Sequence, residues 1–146
     1  MIKNAVIRKI RAEESQEALA LVWRVFQEYE APDYSREGAE EFYQSIHDEA
    51  FLGQLNWNGA FLDDGLVGVI ATRNEGKHIA LFFVDGRHQG QGIGRKLFES
   101  VKTDHMTVNS SPYALKIYRK LGFTETDEER SVNGLRFIPM ELITEK

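Results

Sequence analysis

The chain has no cysteine among its 146 residues. Disulfides, thiolate metal sites and a cysteine nucleophile are therefore excluded. No apolar run approaches the roughly 20 residues that span a bilayer. The opening MIKNAVIRKIRAEE also has no apolar core of signal-peptide length. A soluble, cytoplasmic protein with no membrane partner is the expectation. Positive charge is scarce as well: the formal net charge is −5, which argues against non-specific nucleic-acid binding. His47, His78, His88 and His105 lack metal-ligand spacing, so no metal is expected. There is no G-x-S-x-G nucleophile elbow, internal repeat, low-complexity tract or linker. The length suits one domain, residues 1–146, with one core.

What is present reads as an α/β pattern. AVIRKI (5–10) alternates like a half-buried strand. SQEALALVWRVFQEY (15–29) carries apolar residues at helical spacing, and Pro32 breaks the run. REGAEEFYQSIHDE (36–49) reads as a second helix with Phe42 and Ile46 inward, Tyr43 beside them. GAFLDDGLVGVIATRN (59–74) reads as two strands joined at Asp63-Asp64-Gly65, a hairpin signal. HIALFFV (78–84) is continuously apolar, as a buried central strand would be. GIGRKLFESVK (92–102) reads as a helix with Ile93, Leu97 and Val101 inward, and HMTVN (105–109) as a short strand. PYALKIYRKLG (112–122) has proline near its start and glycine at its end, the asymmetry of a helix. LRFIPMELI (135–143) is a last strand, placed near an edge by Pro139.

The stretch FFVDGRHQGQGIGRKLF (82–98) puts Gly90, Gly92 and Gly94 where a helix begins, after a buried strand. The first amides of a helix lack internal partners and point outward. The helix dipole adds positive charge there, and glycines let the amides curl around a bulky phosphate. The stretch reads as a phosphate cradle, a tight capping turn being the simpler alternative. The dinucleotide fingerprint fails, because its third glycine would fall on Arg95 or Leu97. The P-loop pattern fails too.

Gln89-Gly90-Gln91-Gly92-Ile93-Gly94 resembles the acyl-CoA signature of the GNAT superfamily of N-acetyltransferases, Arg/Gln-x-x-Gly-x-Gly/Ala. VNSSPYALKIYRKLGF (108–123) resembles that family's later motif: an asparagine ending a strand, a helix bearing a tyrosine, then Leu-Gly-Phe. The resemblance covers roughly the C-terminal two thirds well; the first helices match in pattern only. It implies a GNAT-like mixed central sheet of about six to seven strands with about four helices, splayed between the fourth and fifth strands. It implies acetyl-CoA as co-substrate, with the pantetheine arm paired to the backbone of Phe82, Phe83 and Val84. The pyrophosphate would sit on the amides of Gln89, Gly90, Gln91, Gly92, Ile93 and Gly94. Arg95 and Lys96 either help neutralise phosphates or are solvated helix charges. Asn109 matches the asparagine that bonds the pantetheine arm or a water, and Tyr118 the tyrosine beside the sulfur. A phenol there can protonate the leaving thiolate; core packing is the other reading of Tyr118.

Many family members take a general base from the central strand, but HIALFFV has no carboxylate. His78 begins that strand and titrates near neutral pH. On alternation it shares a face with Ala80, Phe82 and Val84, so it is the candidate base; a surface histidine at a strand end is the simpler reading, and Glu75, or backbone carbonyls with water, are the alternatives for the base. On that reading, His78→Ala lowers the rate mainly at low and neutral pH. The acceptor, a small-molecule or peptide amine, would be met by QEYEAPDYS (27–35). Carboxylates attract an ammonium there and tyrosine faces bind it; a solvated helix end is the simpler reading of the same residues. Phe42, Phe51 and Trp57 form either an apolar wall or plain core. The expected activity is direct acetyl transfer from acetyl-CoA to a primary amine in a ternary complex. The rival readings are a non-catalytic acyl-CoA-sensing domain and transfer of a longer acyl group. A homodimer is a family-level expectation.

Overall fold

Alternating and continuous apolar runs assemble the sheet from its middle outward. The computed structural model describes residues 4–63 and 65–144. Strands β1 (Val6–Lys9), β2 (Asn56–Leu62), β3 (Gly65–Arg73) and β4 (His78–Val84) pair antiparallel in that order. Strand β5 (His105–Ser110) then lies parallel to β4. Two short strands follow, β6 (Thr124–Glu125) and β7 (Arg130–Val132), and both pair with the long β8 (Leu135–Ile143). The order β1-β2-β3-β4-β5-β8-β6 makes a mixed sheet whose single parallel pair is central. Among the described residues it has eight strands, more than expected, because β6 and β7 are too short to show a period. Asp64, in the expected hairpin turn, lies outside the described residues.

The helices are α1 (Ser15–Val25), α2 (Arg36–Ser45), α3 (Glu49–Leu52), α4 (Ile93–Val101) and α5 (Leu115–Leu121). Helix α1 runs on into a π-helical turn, Phe26–Glu30. The expected helix 36–49 divides, because the Asp48 carboxylate accepts from Ala50 N–H at 2.9 Å and starts a new helix there. The expected helix 112–122 begins later, at Leu115: Ser111 Oγ accepts from Ala114 N–H at 3.2 Å and holds residues 112–114 in a turn.

Two cores sandwich the sheet. On one face Leu21, Val22, Phe26 and Ile46 pack with Val69, Leu81 and Phe83. On the other, Ile93, Leu97, Phe98 and Tyr118 pack with Ile70, Ile79, Val108 and Met140. Each such apolar side chain contributes roughly 1.5–3 kcal/mol on burial. Tyr43 turns outward at 45% exposure, its ring against Trp23.

Strand β8 lies near the edge, as expected from Pro139, with β6 outside it. It pairs with β5 over Ile143 to Ile138, and with β6 and β7 on its other side. Pro139 is tolerated because its carbonyl, and with it its nitrogen, faces that outer side, where it accepts from Thr126 N–H. The proline falls between the segments of β8 that pair with β6 and β7, so no ladder donor is lost.

Candidate active site

The site begins where two strands part. Strands β4 and β5 pair only through His78–Thr107 and Ile79–Val108. In the β3–β4 ladder, Ala71 opposes Leu81 and Thr72 opposes Ile79, leaving Ala80 as an extra residue. Such a bulge bends its strand and breaks the alternation of side chains. Ala80 and Leu81 both pack with the α1 side, and Phe82 and Val84 point to the α4 side. The strands diverge beyond the bulge, which leaves backbone on the facing edges of β4 and β5 available to a ligand. The bulge also takes His78 off the face of Phe82 and Val84, so the alternation expected for it does not hold.

The loop after β4 is built around Asp85, which is 4% exposed. Its carboxylate accepts from Arg87 N–H at 2.9 Å and pairs with Arg24 at 2.8 Å and Arg87 at 3.2 Å. The Arg87 guanidinium leads in holding it low, at about 2. Gly86 leaves room for the Tyr29 hydroxyl, which a Cβ there would strike. Next come Gly90 and Gly92, with φ of 81° and 84°. Both are left-handed, and a Cβ on either would meet nothing within 4 Å. They face open space, so backbone geometry rather than crowding calls for glycine. Gly92 is the N-cap of α4, whose first amides open toward the same space.

That space is a cavity of about 440 Å³ between β4, α4, α5 and the end of α1. Among its walls are Phe82, Phe83, Val84, Gln89, Gly90, Gly92, Gly94, Arg95 and Tyr118, nine of the expected residues. Gln89 Nε2 donates to Val84 O at 3.1 Å, tying cradle to strand. Gln91, Ile93 and Lys96 are not in the lining: Ile93 is buried in the core, and Lys96 reaches Asn4 Oδ1 at 3.4 Å. Arg95 is thus the basic side chain of the pair that faces the cavity. The Tyr29 and Tyr113 rings, 5.4 Å apart, close its outer side.

A second cavity of about 300 Å³ opens across the splay. Glu30, Phe82, Phe83, Ala114 and Tyr118 border both. Asn109, Phe42 and Phe51 line the second. Trp57 does not; it borders a separate hollow beside Ile10. Tyr118 is 6% exposed, and burial pushes its phenol up, so it stays protonated at any working pH. Its ring lies 6.0 Å from Phe82 and 5.5 Å from Phe123.

His78 lies outside both linings, at the closed end of β4. Its Nδ1 shares a hydrogen bond with Thr107 Oγ1 at 2.7 Å. Burial, then the Arg73 charge, lowers it to about 4, so it is neutral through the neutral range. Glu75 sits on an exposed turn. The titratable group at the junction is instead Glu30. Burial pushes its carboxyl up to about 7, a hydrogen bond with Ser111 opposes this, and the Asp33 charge adds to it. The sequence contained a sign of Glu30 only as one of three acids in QEYEAPDYS. The β7–β8 residues Val132, Leu135, Arg136 and Phe137, also in the second lining, gave no sign. Among the described residues, no group of His, Asp and Glu converges to hold a metal ion, and no helix is long and apolar enough to cross a membrane.

The acetyltransferase (GNAT) domain model matches residues 30–144. Among solved structures, a GCN5-related N-acetyltransferase from Rhodopseudomonas palustris is similar over 99% of this chain and 98% of its own, with 21% identity and a TM-score of 0.85. PaiA N-acetyltransferase from Thermoplasma acidophilum, solved in complex with coenzyme A, covers 97% of this chain and 100% of its own, at 17% identity and TM-score 0.72. A GNAT family acetyltransferase from Elizabethkingia anophelis with acetyl-CoA bound covers 98% and 100%, at 17% identity and TM-score 0.62. No curated protein sequence matches. The structural likenesses show the fold, and the domain match shows the family: the chain belongs to the GNAT acetyltransferases.

Proposed function

We propose that this chain moves an acetyl group from acetyl-CoA directly to a primary amine within a ternary complex. The observation that carries the reading is the meeting of two cavities at Tyr118 across the open β4–β5 splay. The first fits a phosphopantetheine chain. Glycine amides at the start of α4 suit the pyrophosphate, Arg95 adds charge, and the parted edge of β4 at Phe82–Val84 suits the amides of the arm. Asn109, on the edge of β5, suits a polar group or a water near the thioester. Tyr118 keeps its proton and is the donor to the departing thiolate. His78, outside the cleft walls, has no part in this reading.

The second cavity suits the acceptor. Phe42, Ile46, Phe51, Leu135 and Phe137 give it apolar walls, and Glu30 and Glu41 give it negative charge. Its one arginine, Arg136, is held by Glu129 at 2.8 Å, which leaves the cavity suited to a small cationic amine with an apolar body. With no cysteine to carry an acyl group, direct attack is the simpler course. The test is thiol release from acetyl-CoA across a panel of primary amines, with the product identified by mass spectrometry. Amine-dependent release with an acetylated product supports the reading. Acetyl-CoA binding without release from any amine returns the protein to an acyl-CoA-sensing module.

A further inference from the structure

Two carboxylates reach the acceptor cavity, and only one of them also reaches the cofactor cavity. Glu41 of α2 lines the second cavity alone, whereas Glu30 lines both. The π-helical turn puts Glu30 there. An α-helix aligns residue i with i+3 and i+4. Here Ala31 N–H reaches back five residues to Phe26 O, and the wider turn lets Val25 and Glu30 both face the first cavity. Such turns are frequent at functional sites. Ser111, at the turn before α5, is 9% exposed and gives the Glu30 carboxylate a hydrogen-bond partner. Tyr118 faces the same junction from α5.

We propose that the Glu30 carboxylate is the proton acceptor of the reaction, taking a proton from the acceptor's ammonium so that the free amine can attack. The proposal rests on the acetyl-transfer reading. Glu30 takes one proton and leaves a neutral amine. The amine nitrogen bonds to the thioester carbonyl carbon and the C–S bond breaks. The departing sulfur takes the Tyr118 proton, and the nitrogen's surplus proton returns to the Tyr118 oxygen. Glu30 then loses its proton to solvent, so one proton is released per amide formed. Glu30 thereby serves the role for which β4 supplies no carboxylate.

Several titratable or charged groups face Glu30 or share its cavity. They are Asp33 beyond its own turn, Tyr34, Glu41 of α2, Tyr113 ahead of α5, Tyr118 of α5, and Arg136 of β8. Burial outweighs the Ser111 hydrogen bond, and Glu30 exchanges its proton near pH 7, where a base works best at neutral pH.

The test is the pH dependence of kcat/KM in thiol release for the wild type, Glu30→Gln and Ser111→Ala. The probes are acetyl-CoA with phenethylamine, histamine, spermidine or a lysine peptide. The wild-type rate should rise with pH through about 7. Glu30→Gln should lose that limb and fall about 100-fold or more at neutral pH, with acetyl-CoA binding retained. Ser111→Ala keeps the carboxylate and removes the bond that favours its ionised form, so the limb should move to higher pH. In the ligand-free protein, carbon NMR of the side-chain carboxyls should show one glutamate titrating near neutrality, absent from Glu30→Gln. A Glu30→Gln enzyme with the wild-type rate and limb overturns the proposal, and so does an acidic limb unmoved by Ser111→Ala. A wild type that releases no thiol with any amine overturns the acetyl-transfer reading, and this proposal with it.

Discussion

The two cavities meet at Tyr118 and Glu30 but are made of different material. The first joins a main-chain cradle, made by the left-handed glycines, the opening amides of α4 and the parted edge of β4, to side-chain walls such as Tyr29, Tyr113 and Tyr118. The second is shaped mostly by side chains, from the π turn after α1, from α2, α3, β4, β5 and α5, and from the β7–β8 hairpin. A cradle of backbone needs particular residues at a few positions, whatever it is to hold beyond the phosphate. A wall of side chains can be rebuilt one residue at a time. Cofactor binding should therefore be hurt by changes that alter backbone geometry, and acceptor choice by changes that move a side chain or a hairpin.

The strongest break in this comparison comes at the junction. Tyr118→Phe should lower kcat about 100-fold or more while leaving acetyl-CoA binding near the wild-type level, as read by steady-state kinetics and a binding titration. Next is Gly92→Ala, which forces a side chain into left-handed backbone at about 1–2 kcal/mol. It should weaken acetyl-CoA about tenfold, with less effect on the KM for the amine, as calorimetry and kinetics can separate. Gly38→Ala should do the converse. A Cβ at Gly38 would fall against Gly134 O, pushing the β7–β8 hairpin away from α2 at a cost of about 1–3 kcal/mol. Leu135, Arg136 and Phe137 would move with it, so the KM for the amine should rise with acetyl-CoA binding retained.

The smallest effect falls on stability. Asp85→Asn removes a buried carboxylate from two guanidinium groups. The folded pKa lies below the unfolded one, so the stabilisation is present above about pH 4 and is lost as pH falls toward 2. Denaturant titrations should show Asp85→Asn weaker by about 1–2 kcal/mol at pH 7, with the difference closing in acid.

The same contrast explains what the sequence made legible. The glycine turn ahead of α4 could be read because left-handed backbone leaves glycines in fixed places, and Gly90, Gly92 and Gly94 lie close together. Tyr118 and Asn109 were legible through a short motif. The base was not, because it depends on two irregularities with no periodic trace. The extra residue at Ala80 takes His78 off the expected face, and the π turn carries Glu30 onto the junction. Strands β6 and β7 escaped notice for a related reason: two and three residues cannot display alternation, and their pairing with β8 is visible only in the fold. Pro139 was a fair guide, since β8 lies one strand in from the edge and only the short β6 and β7 pair with its outer side.

The most direct test of the account is a thermal-shift titration with acetyl-CoA, alongside CoA, NAD and ATP. A ligand that binds only the folded state stabilises it by about 2.7 kcal/mol at 100 times its dissociation constant. The account predicts a clear rise in Tm with acetyl-CoA and CoA, little with NAD or ATP, and a reduced rise in Gly92→Ala. A folded protein whose Tm does not move with acetyl-CoA or CoA would contradict it, leaving the three glycines as a turn ahead of a helix.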